Sequence, residues 1–359
     1  MDFTRRRLLI TTAGLAGAAM GLTGLSACNA SAGQASRAAP SSASAGGAEA
    51  GAFPVTIAHK FGETTIETEP QRIVCVGLKE QDDLLALGIV PVGASKWLEF
   101  PDGNAVIGPW AKDALGSSPM PKELETTNGI PFEDIAGLQP DLILALYAGP
   151  TEADYTKLSG IANTVVFPKD YVDYGIPWDV QAETVGRAVG RPKAMAEKVA
   201  TSKKAITDGA AANPSFAGKT AMVVTPYEGL WVYGAQDPRV RLMNELGFVN
   251  PPGFAELFPK DAGTFGGNIS PEKAEILDVD TLVCFADQGE QQAQIETKLF
   301  KSQKVHTEGR TVWFRTSDMG TTPFSFLTVL SLPYLLERFV PRVAAAVDGD
   351  PATATDEKS

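Results

Sequence analysis

Five residues carry the thiol and imidazole chemistry open to this chain: Cys28, Cys75, Cys284, His59 and His306. They are scattered, and no CxxC pair, HExxH helix, GxSxG elbow or Walker-type glycine loop joins them to partners. A bare Zn or Mn ion needs clustered histidines and carboxylates. His59, beside "FGE" in an edge hairpin, reads instead as a solvated strand residue, and His306, in the polar "SQKVHTEG", as another. Cys75 in "RIVCVG" and Cys284 in "TLVCF" lie in apolar runs and read as free core thiols. Asp82 and Asp83 are adjacent carboxylates that could serve acid–base work, but "EQDDLLALG" has helical spacing that places them on a solvated face. Neither histidine has a serine and aspartate in a nucleophile signature. No catalytic role, resident metal or cofactor is expected.

Two glutamates have a different character. Glu133 lies just past Pro131 and Glu272 just past Pro271, each opening an expected helix whose dipole favours a carboxylate in its first turn. A slide of 139 residues lays Glu133 on Glu272, Leu138 on Leu277, Asp141 on Asp280 and Ile143 on Leu282. One structural unit is used twice.

The elements around these positions alternate. Residues 54–77 read as a strand, a turn at Gly62–Glu63, a second strand and a buried strand opened by Pro70, followed by a helix at 80–88 and a strand at 89–95. Helix 131–138, strand 141–146, helix 152–162 and strand 164–167 follow. Residues 177–214 carry an apolar stripe at helical spacing, interrupted at Gly190, with Pro192 able to start a new run. Beyond it come strands 219–225 and 230–234, helices 238–246 and 271–277, strand 280–285, a helix around 291–303, strand 311–316 and a terminal helix 324–347. The pattern predicts an α/β protein: two lobes with mostly parallel sheets, 53–176 and 215–347, joined by a helical crossover at 177–214, with a disordered tail at 348–359.

Composition agrees with a soluble globular core. The 359 residues hold 31 Lys and Arg against 43 Asp and Glu, a net charge of -12, with 44% hydrophobic residues. That balance offers no basic stripe to neutralise phosphates, so no nucleic-acid partner is expected. The N-terminus differs. "TRRRLLITTAGLAGAAMGLTGLSAC" has a basic start, an uncharged run and small residues before Cys28. Arg5 and Arg6 resemble a twin-arginine export signal, and "LSAC" resembles the lipobox of bacterial lipoproteins. These resemblances imply that residues 1–27 are removed and that Cys28 carries lipid on the extracytoplasmic face of the cell membrane. Removing three arginines and one aspartate takes the charge from -12 to -14. Residues 28–52 are small and polar and read as a flexible tether.

Together, "IAHKFGETTIETEPQRIV", "LLALGIVPVGAS", "PFEDIAGLQPDLIL", the long crossover, "SPEKAEILDVDTLV" and "FSFLTVLSLPYLLERF" resemble the substrate-binding proteins of ABC importers for iron siderophores and cobalamin. The resemblance spans about residues 53–347. It implies two lobes on one rigid linker helix, a monomer, a ligand in the cleft, and docking of Glu133 and Glu272 on arginines of the permease dimer. Iron would arrive already chelated, as a ferric siderophore. Cobalamin or haem is the alternative ligand, and an exported envelope enzyme a more distant one.

Ligands of open α/β sheets sit at the carboxyl ends of the strands. Following the strands outward gives Trp97, Tyr147, Tyr227, Trp231, Arg239 and Arg315 as expected ligand-binding residues. Aromatic walls and a few cationic donors suit a broad chelate whose metal is already saturated. A strongly acidic chain repels a triply anionic catecholate complex more than a neutral or cationic hydroxamate, so a hydroxamate is favoured.

Overall fold

The short apolar runs become strands because they are buried on both faces, as a parallel sheet covered by helices requires. The computed structural model describes residues 47–96, 100, 102–258, 265–315, 318, 321–353 and 355, without the side chains of 271, 272, 321 and 322. The export signal, Cys28, nearly all of the expected tether and Trp97 lie outside the described residues.

A hairpin of β1 (Val55–His59) and β2 (Gly62–Ile66) precedes the first lobe. That lobe holds a five-stranded, all-parallel sheet. Its strands are β3 (Ile73–Cys75), β4 (Gly93–Ser95), β5 (Lys122–Leu124), β6 (Leu142–Ala145) and β7 (Asn163–Val166), in the order β5-β4-β3-β6-β7. The second lobe has β8 (Ala221–Pro226), β9 (Leu230–Tyr233), β10 (Gly266–Ile269), β11 (Thr281–Phe285) and β12 (Thr311–Phe314), in the order β10-β9-β8-β11-β12. The two orders are equivalent, and the sequence echo falls on β6 and β11, matching strands of the two sheets. The lobes differ at one edge, where β9 runs antiparallel to both β8 and β10.

The crossover is two helices, Trp178–Ala188 and Pro192–Ala212. Gly190 separates them with φ +70, and a Cβ there would stand 2.5 Å from the Phe53 ring. The first packs on β1 and on the helix Glu80–Ala86; the second packs on the terminal helix Ser331–Asp348.

Several expectations change. The expected helix at 291–303 is broken into Glu290–Ile295, Lys298–Ser302 and Lys304–Thr307. The expected terminal helix is interrupted between Ser325 and Ser331, where Thr328 Oγ1 accepts from the Ser331 N–H (3.0 Å) and restarts it. Order begins before Phe53, because Glu49 Oε1 accepts from the N–H groups of Lys193 and Ala194 at 2.9 and 3.0 Å and caps the second linker helix. It also runs past residue 348: the Thr355 carbonyl accepts from Arg342 Nε at 2.7 Å. His59 is buried rather than solvated, bonded through Nε2 to Thr64 Oγ1 (3.0 Å), and burial lowers its pKa. Cys75 and Cys284 are buried free thiols, as expected. No helix among the described residues is long and apolar enough to cross a membrane.

Candidate functional site

The carboxyl ends of β3 and β6 converge on one buried carboxylate. Glu80 Oε1 accepts from the N–H groups of Leu146 (2.6 Å) and Tyr147 (2.8 Å), and Oε2 from the Lys79 N–H (3.2 Å). The carboxylate reaches this position because residue 77 is glycine; a Cβ there would sit 1.9 Å from Oε1. Burial pushes the Glu80 pKa up, and the backbone donors oppose that rise. The result is a rigid backbone under Tyr147.

Tyr147 is 2% exposed and stands between the lobes. Its ring meets Tyr174 edge-on at 5.5 Å and Phe326, from the second lobe, at 5.9 Å. The Lys79 ammonium lies 4.0 Å from its centroid, and burial pulls the ammonium pKa below the usual lysine range. Burial likewise raises the Tyr147 hydroxyl. Beside this ring a cavity of about 330 Å³ is lined by Val76, Leu78, Ile130, Tyr147, Tyr174 and Asp154 among others. Asp154 is its charged lining group, held below the usual carboxylate range by the Thr151 hydroxyl.

The second lobe contributes Arg239. Its guanidinium grips Asp237 through two bonds, Nε to Oδ1 (2.8 Å) and Nη2 to Oδ2 (2.7 Å), and lies 3.6 Å from the Tyr233 centroid. Asp237 is fully buried and also caps the helix Pro238–Glu245 through the Arg239 N–H. Burial opposes the charge on Arg239, but the facing Asp237 outweighs it and the net shift is upward. Arg241 Nη1 donates to the Gly175 carbonyl at 2.8 Å, tying this end of the second lobe to the last residues of the first.

The expected ligand residues are therefore divided. Tyr147 and Arg239 are set at the lobe junction. Tyr227, 59% exposed, meets Trp231 edge-on at 6.3 Å at the tip of the β8–β9 hairpin. Arg315 donates to Gln292 Oε1 (2.9 Å) and to the Ala286 carbonyl in another crevice, of about 600 Å³, with Glu296 and Lys301. Glu133 is exposed on the first lobe beside a surface groove of about 730 Å³ lined by Phe132, Lys157 and Ile161. Glu272 begins the 3-10 turn Pro271–Leu277, the counterpart of the helix Phe132–Gly137.

Asp82 and Asp83 require correction. Neither is solvated: both are fully buried, with Lys79, Glu80 and Gln81. Asp82 Oδ2 accepts from Trp110 Nε1 (2.7 Å) and the Thr328 hydroxyl (2.8 Å), and Asp83 Oδ2 from Gln181 Nε2 (2.7 Å). Burial pushes Asp82 up to about 6 and Asp83 further still. Lys79, Tyr174, Tyr233 and Asp237 were all missed as cleft residues. Only Asp237 left a local signal, as an aspartate before the Pro238 that opens a helix.

Residues 73–305 match a family model described as periplasmic binding protein. The chain is 30% identical over 235 residues to a Bacillus subtilis protein named "Probable siderophore-binding lipoprotein YfiY", covering 64% of this chain and 68% of that one. It spans only about half the length, 49% and 51%, of two other curated relatives, from Bacillus subtilis and Escherichia coli. Among solved structures, a periplasmic solute binding protein from Mycobacterium smegmatis is 31% identical with a TM-score of 0.67, over 82% of this chain and 98% of that one. The Streptococcus pneumoniae protein PiaA in complex with ferrichrome shares the fold, with a TM-score of 0.73 at 24% identity, over 82% of this chain and 99% of that one.

Proposed function

Because this chain belongs to the periplasmic binding protein family, we propose that it captures a ferric siderophore between its lobes and hands it to the permease dimer of an ABC importer. It is a binder with no chemical step of its own. The observation that carries this reading is the meeting of Tyr147, Tyr174 and Phe326 with the Lys79 ammonium where the two lobes touch, with the Arg239 guanidinium stacked on Tyr233 in the second lobe. Aromatic faces pack on the organic shell of a chelate, and cations address its metal-bound oxygens. Iron enters as cargo, already coordinated.

The charge of the site favours a hydroxamate. Arg239 is neutralised by Asp237, and the cavity beside Tyr147 carries the ionised Asp154. A neutral or cationic ferric hydroxamate meets no net repulsion there, whereas a triply anionic catecholate complex does. Trp97, Tyr227 and Trp231 complete the proposed ligand-binding set, while Arg315, turned to Gln292 and the Ala286 carbonyl, lies in a separate crevice outside it. Cobalamin or haem remains the second ligand reading. Export by the twin-arginine route, lipidation at Cys28 and anchoring to the extracytoplasmic face of the membrane follow from the N-terminal signal, and the relative named above is itself called a lipoprotein. Two acyl chains on one cysteine suffice for stable anchoring. The protein acts as a monomer.

Tryptophan fluorescence titrated with ferric hydroxamates, ferric catecholates, haem and cobalamin tests the reading. Saturable quenching by a ferric hydroxamate, at least tenfold tighter than by any triscatecholate, is expected. Preference for haem or cobalamin would move the protein to the second reading, and preference for a triscatecholate would reverse the charge assignment.

A further inference from the structure

Two side chains at the start of one helix cross the lobe junction to consecutive residues of the other lobe. The Lys79 ammonium donates to the Leu327 carbonyl (3.4 Å), and Asp82 Oδ2 accepts from the Thr328 hydroxyl (2.8 Å). The residue just before them, Phe326, presents its ring to Tyr147. We propose that Lys79 and Asp82 are positioning residues, a two-point latch that holds 327–328 on the first lobe, sets Phe326 against Tyr147 and gates release of the ligand. The latch rests on the reading that the ligand lies against Tyr147.

The geometry leaves little slack. Both latch residues are fully buried. The Thr328 hydroxyl also accepts from the Ser331 N–H, and Ser331 Oγ accepts from the Thr328 N–H (2.9 Å), so the latched segment is continuous with the terminal helix. Trp110 Nε1, from the same lobe as Asp82, donates to the same Oδ2 at 2.7 Å. At the other point, the ammonium that holds Leu327 also sits on the Tyr147 ring, so pocket wall and latch share one group. Burying a carboxylate and an ammonium that are not paired at ion-pair distance is costly, and an apolar contact would serve stability better. The expense fits a contact meant to open.

Proton linkage gives the latch a signature. Facing charges on its own helix are Glu80 and Asp83; across the junction Lys79 meets Asp237 and Arg241 and Asp82 meets the donor Thr328, while the donor Trp110 reaches Asp82 from its own lobe. Among the described residues Glu80 bonds only the backbone of its own lobe, so its hydrogen bonds do not depend on the latch. Asp82, pushed up to about 6 by burial, returns towards about 3.9 when opening exposes it. The latched state therefore holds the proton more tightly, and acidification favours it. Asp82 Oδ1, which has no partner among the described residues, can take that proton while Oδ2 keeps both bonds. With these two constants, release should slow about tenfold between pH 7 and pH 5.

Stopped-flow displacement of ferrioxamine B from the full-length protein reads this directly. The parent should show the tenfold slowing and Asp82→Asn a flat profile. Thr328→Val, which removes the hydroxyl, should release about tenfold faster at pH 7, while Thr328→Ser, which keeps it, should stay within threefold of the parent. A flat parent profile, or a slope that survives in Asp82→Asn, overturns the latch while leaving the cleft reading intact. Failure of every chelate to bind overturns the cleft reading and the latch together.

Discussion

Replacing Asp237 with alanine is expected to destabilise folding by about 3–5 kcal/mol, because it strands a buried guanidinium. Asp237 is fully buried and Arg239 is 8% exposed, and each occupies two bonding positions of the other. The same change removes the N-cap of the helix Pro238–Glu245, a loss of about 1 kcal/mol in the same direction. Urea unfolding followed by far-ultraviolet circular dichroism measures the sum. The cause is separable from simple loss of a bond: Asp237→Ala combined with Arg239→Met leaves no unpaired charge and should recover more than half of the stability lost by the single change. Ligand affinity should not recover in the double variant, since the proposed donor to the chelate is gone. A single variant less than 1 kcal/mol below the parent would mean that water reaches Arg239 freely.

The frame of this site was legible in the sequence, while its polar interior was not. β6 and β11 announce themselves as apolar runs, and the repeat between them foretold that the lobes share a topology. β5 and β10, "KEL" and "GGNI", lack such runs; neighbours in the sheet, not local propensity, make them strands. Tyr147 could be placed from the end of its strand. Asp82 could not, because its partner Thr328 is 246 residues away and helical spacing alone makes a buried charge look solvated. Arg315 was expected in the cleft from the end of β12, yet it turns to Gln292 and the Ala286 carbonyl. The end of a strand fixes where a residue starts and leaves the direction of a long side chain open.

The double change Glu133→Ala with Glu272→Ala should reduce ferric siderophore uptake in cells at least tenfold while leaving the affinity of the purified protein within twofold of the parent. Both glutamates open the equivalent turn of their lobes, and Glu133 is exposed, more than a strand's length from the Tyr147 cluster in sequence and on another cavity. In the proposed docking, one acidic group on each lobe would let a permease dimer engage both lobes at once through charge-assisted bonds to arginine. Each exposed pair is weak. Two pairs acting together, on a protein confined to the membrane by the proposed lipid at Cys28, would gain from effective concentration what each lacks alone. Each single change should therefore leave measurable uptake. Unimpaired uptake by the double variant would assign the two carboxylates to their helix termini only, where they interact with the dipole.

An anomalous difference map at the iron absorption edge, from crystals grown with a ferric trihydroxamate, tests the placement of the ligand most directly. A single iron peak between the lobes, with the chelate packed against Tyr147 and within hydrogen-bonding reach of Lys79 or Arg239, is the predicted result. A peak confined to the Arg315 crevice or the Glu133 groove, or no peak from crystals saturated with the chelate, would contradict it.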